Sequence, residues 1–173
     1  SACLKGSLPE ALLYSGYDRG KAVAEEYSSI FPGRYYIELQ NHGIPEEIQN
    51  IQLASKLAKD MGLPTIATND AHYARKEHHV AHDVHICIGT GKQLSDTKRL
   101  KYHGNEFYFK SQDEMSSLFK EFPEALENTR AITDSIDLDI PMDDYHLPWY
   151  QIPKGSDLKD VDDYLKLLCK EGM

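Results

Sequence analysis

The chain has 173 residues, of which 40% are hydrophobic and 27% are charged, and its formal net charge at pH 7 is −9. This composition is that of a globular protein, and no stretch approaches the roughly 20 apolar residues that a membrane-spanning helix needs. The acidic balance also excludes a surface that is broadly attractive to nucleic acid, because phosphates are bound by clusters of Lys and Arg.

The cysteines and the two ends of the chain bear on its cellular context. Cys3, Cys87 and Cys169 are odd in number and far apart, which argues against a disulfide framework and favours a reducing, cytoplasmic location. Cys87 and Cys169 lie among apolar residues and are expected to be buried core thiols. The first residues carry neither an initiator Met nor a signal-peptide pattern, and the last residues stop within a helical pattern. We therefore expect the chain to be a piece of a longer cytoplasmic protein.

The spacing of apolar residues predicts alternating helices and strands. In chain order, helices are expected over 9–14, 18–30 (with Asp18 as N-cap), 46–62, 76–91, 111–119 (with a capping box from Ser111 to Glu114), 123–136 and 156–172. Strands are expected over 34–40 and 63–68, with a further apolar stretch at 106–110. The residues from 137 to 153 show no periodicity, so they are expected to form an extended linker.

The succession of strand, helix and strand between residues 34 and 68 predicts one parallel βαβ unit. The connection is long enough for a crossover helix, and the second strand is uniformly apolar, as is typical of strands buried in parallel sheets. Ligands of open parallel sheets bind at the carboxyl ends of the strands. Polar residues that directly follow the two strands are therefore the first candidates for a functional site in an α/β fold.

Asp70 and His72 follow the second strand with a spacing of two residues. In an extended segment, side chains two residues apart point the same way, so both can bind one metal ion. A carboxylate and a neutral imidazole together suit Zn, Mn or Fe. The alternative is structural, because Asn69 and Asp70 are also good turn residues.

Glu38 and His42 come at the end of the first strand and in the loop after it. In a parallel sheet they share an edge with Asp70, which places them at the periphery of the same candidate site. The alternative for His42 is a hydrogen bond to nearby backbone in a turn that leads into the next helix.

Four further histidines, at positions 78, 79, 82 and 85, lie within the predicted helix 76–91. His78 and His82 have the i, i+4 spacing that can bind zinc, but the Glu that follows the first His in metalloproteases is missing. His82 also shares a helix face with Ile86. We therefore favour a structural role for this cluster, and the residues around Cys3 alone predict no role for that thiol.

Four segments, taken together, are characteristic of one family. They are SACLKGSLPEALL, YYIELQNHGIPEE, LAKDMGLPTIATNDAHYARKEHHVAHDVHICIGTGKQLSD and NEFYFKSQDEM. In this order, and continuing through YHLPWYQIPKGSD, the chain closely resembles the N-terminal region of bacterial replicative DNA polymerase III alpha subunits, which is the PHP (polymerase and histidinol phosphatase) domain of that family.

The resemblance implies a fold and a division into domains. PHP domains are distorted (β/α)7 barrels of parallel strands with up to three metal ions at the C-terminal mouth. Residues 1–137 would be the later part of such a domain, residues 138–155 a linker, and residues 156–173 the start of the following, palm-side domain. Because a partial barrel has open edges, we expect the isolated segment to self-associate.

The resemblance also implies site residues. Asp70 and His72 fall on the final Asp-x-His metal motif of the family, and Cys3 falls on its Ser-x-Cys-x-x-Gly segment. The implied ions are Zn or Mn in the PHP site and Mg for polymerisation in the parent protein. The earlier ligands of the family, beginning with His-x-His, match nothing here and are expected to precede Ser1. The segment alone is therefore expected to hold no complete set of catalytic residues and to show no turnover.

The implied function is that of the parent protein, a DNA-directed DNA polymerase (nucleotidyltransferase) of chromosomal replication. Its PHP part would be a metal-dependent phosphoesterase of the 3′–5′ exonuclease type, or a structural remnant of one. Its partners would be DNA, bound mainly by other domains, and holoenzyme subunits that include a proofreading subunit and the sliding clamp, with no membrane partner. Two alternatives are a stand-alone PHP phosphoesterase of the histidinol-phosphatase kind and a non-catalytic PHP scaffold for the proofreading subunit.

Overall fold

The computed structural model describes residues 3–142, 145 and 148–172. The description leaves out residues 1, 2, 143, 144, 146, 147 and 173. Each of the three predicted segments, 1–137, 138–155 and 156–173, therefore includes residues outside the described part. The chain divides into two compact units, Ser1–Ile136 and Asp137–Met173.

Within the described residues the regular structure consists of seven α-helices, a π-helical turn, a 3₁₀ turn and two β-strands. In chain order these are α1 (Ser7–Glu10), the π-helical turn (Ala11–Ser15), α2 (Tyr17–Ile30), β1 (Ile37–Leu39), α3 (Pro45–Met61), β2 (Thr65–Ala67), the 3₁₀ turn (Lys76–His78), α4 (His79–Thr90), α5 (Gln112–Leu118), α6 (Pro123–Asp134) and α7 (Val161–Glu171). The order is the predicted one, and the α/β class is confirmed.

Several element bounds differ from the prediction. The predicted N-cap Asp18 lies in the first turn of α2, because Gly16 is the N-cap. Helix α7 begins later than expected, since the Asp160 side chain accepts hydrogen bonds from the N–H groups of Asp162 and Asp163 and so caps the helix there. The apolar stretch 106–110 forms no strand and pairs through a single parallel bridge between Tyr73 and Tyr108.

The two strands are parallel neighbours, as the βαβ pattern predicts. Ile37 pairs with Thr65, and Leu39 pairs with Ala67. The ladder is extended at both ends, because the Ile37 N–H donates to Pro64 O at 2.8 Å and the Thr68 N–H donates to Leu39 O at 3.1 Å. The carboxyl ends of β1 and β2 consequently meet at one edge of the sheet.

Helix α3 contributes much of the buried core of the first unit. Ala54, Leu57 and Ala58 are almost fully buried, as are Ile37 and Leu39 of β1. Ile48 of the same helix is 51% exposed. Residues of a helix are about 100° apart, so position 48 lies on the flank of a buried stripe that runs through positions 47, 50, 54 and 58.

Helix α6 covers the outer edge of β2. The Asn128 side chain donates to Thr65 O at 2.8 Å, and the Thr129 hydroxyl donates to Ala67 O at 3.0 Å. The carbonyls of successive residues in a strand point to opposite sides. Because Pro64 O accepts from β1, the carbonyls of Thr65 and Ala67 face away from β1. Polar side chains of α6 therefore satisfy a strand edge that would otherwise be open.

The second unit contains α7 and a stacked pair of rings, Tyr150 and Tyr164, with centroids 5.9 Å apart. Leu165 and Leu168 of α7 are 58% and 43% exposed. Cys169 is exposed as well, so the prediction that it is a core thiol was wrong, whereas Cys87 is buried as predicted. None of the helices in the described part of the chain combines the length and the apolar character needed to cross a lipid bilayer.

A close approach of α2 to the π-helical turn depends on Gly20. A Cβ atom at this buried position would lie 2.3 Å from Leu12 Cδ2, and Leu12 is itself only 3% exposed. We expect Gly20→Ala to destabilise the fold by about 1–3 kcal/mol, because Leu12 has little room to move. The measurement is the free energy of unfolding in urea.

The matched control is Gly89→Ala in α4, where a Cβ meets nothing within 4 Å. It should stabilise the protein by about 0.5–1 kcal/mol, since alanine is the better helix former. Equal free energies of unfolding for the two variants would contradict close packing at Gly20.

Candidate functional site

The residues predicted for the site gather at the carboxyl edge of the sheet. Gln40 Nε2 lies 3.2 Å from Thr68 Oγ1, and the Asp70 N–H donates to His42 Nε2 at 3.3 Å. The loop after β1 and the loop after β2 are therefore in direct contact. This contact follows from the parallel register, because both strands end at the same edge.

Asp70 and His72 form a close pair, with 3.2 Å between Asp70 Oδ1 and His72 Nε2. Their side chains are 38% and 31% exposed, so both atoms are within reach of solvent and of an ion. Two ligand atoms of a tetrahedral metal with bonds of about 2.1 Å lie about 3.4 Å apart. The separation of this pair is close to that value, so the two side chains fit a shared divalent ion.

Tyr102 lies against this pair, and the sequence predicted no role for it. Its hydroxyl is 3.2 Å from His72 Nε2, and the two rings have centroids 4.6 Å apart. Burial raises the pKa of the Tyr102 hydroxyl, and the negative charges of Asp70 and Cys3 raise it further. Cys3 itself is an exposed free thiol.

The predicted ligands are only partly assembled by the geometry. Asp70 and His72 are in contact. Over the residues that the structure describes, no group of three or more His, Cys, Asp or Glu side chains is arranged to hold a metal ion. The assignment of Asp70, His72 and Cys3 as metal ligands stays a prediction.

His42 is buried and engaged on both sides of its ring. Its Nδ1 lies 2.8 Å from Glu47 Oε1, and its backbone N–H donates to Glu47 Oε2 at 2.6 Å. His42 and Glu47 are each 4% exposed. The His42 ring therefore contacts the Glu47 side chain and the distant Asp70 backbone, whereas the sequence offered a contact with nearby backbone and did not anticipate Glu47.

Phe107 joins His42 to the segment that carries His72. Its ring stacks on the His42 imidazole with centroids 4.4 Å apart and an angle of 7° between the planes. Its carbonyl accepts the His72 N–H at 2.8 Å. The apolar stretch 106–110 was the only signal for Phe107, because nothing local indicates which residues it will contact.

Glu38 lies half-buried beside the same edge. Its Oε1 accepts the Thr68 hydroxyl at 2.6 Å and Gln40 Nε2 at 3.2 Å. The two bonds connect Glu38 of β1 with Gln40, which follows β1, and with Thr68, which follows β2. This agrees with a position at the periphery of the candidate site. A direct role for Glu38 in chemistry stays a prediction.

Of the histidines in α4, His82 packs against the rings of His72, Tyr73 and Tyr102. Its ring centroid is 5.6 Å from that of His72, 5.2 Å from that of Tyr73 and 5.1 Å from that of Tyr102. Burial lowers the pKa of His82, and the nearby His72 and His85 lower it further. This agrees with the structural role that the sequence favoured.

The segment that carries Tyr102 is fastened to α4 by a two-point ion pair. Arg99 Nη1 and Nη2 donate to the two carboxylate oxygens of Asp83 at 2.5 and 2.8 Å. The Arg99 side chain is only 7% exposed. This planar contact holds the chain just before Tyr102 and so helps to place that ring beside His72.

The chain is similar over its whole length to proteins named DNA polymerase III subunit alpha. It is 41% identical to the subunit of Borreliella burgdorferi over 175 residues, 39% identical to that of Treponema pallidum over 174 residues, and 40% identical to that of Helicobacter pylori over 194 residues. Each comparison covers 100% of this chain but only 15–16% of the relative. No family model matches the chain.

These relatives confirm the resemblance found in the sequence. The α/β unit with its acid and histidine at the sheet edge matches one part of proteins named DNA polymerase III subunit alpha. Over its whole length the chain is similar to DNA polymerase III alpha subunits, and it spans about 15% of the length of the relatives that it matches.

Glu114, in the first turn of α5, makes the stability of the fold depend on pH. The Tyr108 hydroxyl donates to Glu114, and the capping box with Ser111 adds two more hydrogen bonds, which together lower the pKa of Glu114 to about 2. A lowered carboxyl pKa stabilises the folded state above the ordinary pKa of 4.5, and this contribution is lost as the pH falls towards 2.

We expect Glu114→Gln to lose the part of the pH dependence of unfolding that lies between about pH 4.5 and pH 2. The measurement is urea unfolding over this range. Glu124→Gln is the control, because Glu124 is also in the first turn of a helix, but its N-cap residue makes no side-chain cap bond. Parallel curves for the wild type and Glu114→Gln would contradict the prediction.

Proposed function

We propose that this chain is part of a PHP domain in a replicative DNA polymerase, and that Asp70 and His72 belong to its divalent metal site. The observation that carries the proposal is the 3.2 Å pair of Asp70 and His72 at the carboxyl edge of two parallel strands. The similarity over the whole chain to subunits named DNA polymerase III subunit alpha supports the polymerase context.

The proposed fold of the complete domain is a distorted (β/α)7 barrel, to which this chain would contribute the later part. Two parallel strands joined by a crossover helix are the repeating unit of such barrels, and their sites lie at the carboxyl ends of the strands. The paired β1 and β2, with α3 between them, agree with one such unit.

The proposed chemistry is hydrolysis of a phosphoester, of the 3′–5′ exonuclease type. Bound divalent ions supply Lewis acidity, which activates water and offsets phosphate charge. In this chain the Asp70 carboxylate would supply an anionic oxygen and the neutral His72 imidazole a nitrogen. Cys3 would add a thiolate, and Tyr102 would hold the His72 ring in place. Zn and Mn suit this mixed set of ligands.

For the whole polypeptide we propose template-directed DNA synthesis with Mg, in the cytoplasm. Its partners would be DNA and other holoenzyme subunits, including a proofreading subunit and the sliding clamp. The net charge of −9 on this segment supports DNA binding mainly by other parts of the polypeptide.

A non-catalytic scaffold is the second candidate function. It is favoured by one observation, namely that the described residues bring together no group of three or more possible metal ligands. A stand-alone phosphoesterase is less well supported, because the relatives are polymerase subunits about six to seven times longer than this chain, which covers 15–16% of each.

The test is the metal content of the full-length natural polypeptide, measured by elemental analysis. We expect about two or three equivalents of Zn or Mn in the wild type and a loss of at least about one equivalent in Asp70→Ala. Asp113→Ala, which removes an exposed carboxylate in the first turn of α5, is the matched control and should keep the wild-type content. The absence of metal from both proteins would favour the scaffold, and full metal content in Asp70→Ala would overturn the assignment of Asp70 as a ligand.

A further inference from the structure

We propose that Glu47 and His42 are positioning residues that hold the loop of residues 69–73 in the geometry needed to bind metal. The inference rests on the proposed function of Asp70 and His72. It starts from a continuous chain of contacts, in which Glu47 bonds to His42 and His42 bonds to the backbone of Asp70.

The hydrogen bonds assign the tautomer of His42. A carboxylate only accepts, so the ring nitrogen Nδ1, 2.8 Å from Glu47 Oε1, carries the proton. The Asp70 N–H only donates, so Nε2, at 3.3 Å, is the acceptor. The bond to Glu47 therefore leaves Nε2 unprotonated, and the lone pair of Nε2 accepts the Asp70 N–H.

The same imidazole also acts on His72, through Phe107. The His42 ring lies flat on the Phe107 ring, and the Phe107 carbonyl accepts the His72 N–H at 2.8 Å. The His42 side chain is therefore connected to both proposed ligands. It accepts a hydrogen bond from the Asp70 N–H, and it stacks on Phe107, whose carbonyl accepts the His72 N–H.

Helix α3 holds the Glu47–His42 pair in place. Glu47 is in the first turn of this 17-residue helix, where the helix dipole favours a carboxylate. Its two oxygens accept both His42 Nδ1–H and the His42 backbone N–H, which fixes the ring and the loop after β1 together. The position of Asp70 is in this way tied to a long helix of the core rather than to a mobile loop.

Burial of the pair argues for a positioning role rather than one in stability. A buried polar pair often contributes no more to stability than apolar residues of the same size, because both groups lose their hydration. His42 and Glu47 are each 4% exposed, whereas Asp70 and His72 are open to solvent. The arrangement matches the partners that orient metal ligands from outside the coordination sphere in other proteins.

Glu47→Gln is the variant that separates positioning from packing, since it keeps the size of the side chain. An amide has one accepting oxygen and one donating NH2 group, so it cannot replace both Glu47 oxygens that accept from the His42 N–H and from Nδ1–H. If its oxygen binds the backbone, its NH2 group faces Nδ1 and moves the ring proton to Nε2, where it meets the Asp70 N–H. Glu46→Gln is the matched control, since it removes the same charge from the same turn at an exposed position.

The experiment uses the full-length natural polypeptide and counts only the sites that Asp70→Ala loses. Mn²⁺ affinity is measured by titration, and the absorption spectrum of Co²⁺ reports ligand geometry, which a uniform loss of stability would not change. We expect Glu47→Gln to bind Mn²⁺ at least about tenfold more weakly with an altered Co²⁺ spectrum, and Glu46→Gln to match the wild type.

The outcomes separate the two proposals. Wild-type Mn²⁺ affinity and Co²⁺ spectrum in Glu47→Gln would overturn the positioning role and leave the metal site standing. A wild type without any Asp70-dependent Mn²⁺ would overturn both. Amide exchange in the absence of metal adds a local measurement, because release of the Asp70 N–H should speed exchange in residues 69–73 but not in α3.

If Glu47→Gln does not fold, Phe107→Leu replaces it. This variant keeps an apolar side chain and the bond between Glu47 and His42, but removes the ring on which His42 lies. We expect Mn²⁺ affinity to fall by about threefold or more, with a change in the Co²⁺ spectrum. An unchanged affinity and spectrum in this variant would overturn the inference.

Discussion

The parallel register of β1 and β2 is the constraint on which the candidate site depends. Pairing of Ile37 with Thr65 and of Leu39 with Ala67 brings the two loops that follow the strands to one edge. An antiparallel pairing would send those loops to opposite ends of the sheet. The contact between His42 and Asp70, 28 residues apart in the chain, is the direct result of this register.

The remaining structure stabilises this short ladder from several sides. Three residue pairs alone would be marginal in water, so burial of the strands has to supply the stability. Helix α3 covers the sheet with Ala54, Leu57 and Ala58, and α6 closes the outer edge of β2 through Asn128 and Thr129. The loops at the carboxyl edge are consequently anchored on a buried support whose outer edge at β2 is hydrogen-bonded by α6.

The site combines polar groups of very different exposure. Glu47 and His42 are buried against Phe107, while Asp70 and His72 lie at the surface beside Tyr102. A rigid inner pair and an accessible outer pair are what a binding site requires, because the outer groups must meet a ligand without moving.

By itself the sequence determined the order of helices and strands, the parallel βαβ unit and the Asp70 and His72 pair, because each has a local signal in periodicity or spacing. The tertiary structure alone decided which residues surround that pair. Tyr102 and Phe107 lie 30 or more positions beyond Asp70, and Glu47 looks like an ordinary acid in a first helical turn. Similarly, Ile48 is as apolar as the buried Ile51 of the same helix, yet it is exposed, and Cys169 is exposed although it follows two leucines. Such outcomes depend on which face of a helix meets the sheet and on contacts between distant segments, and no local pattern encodes either.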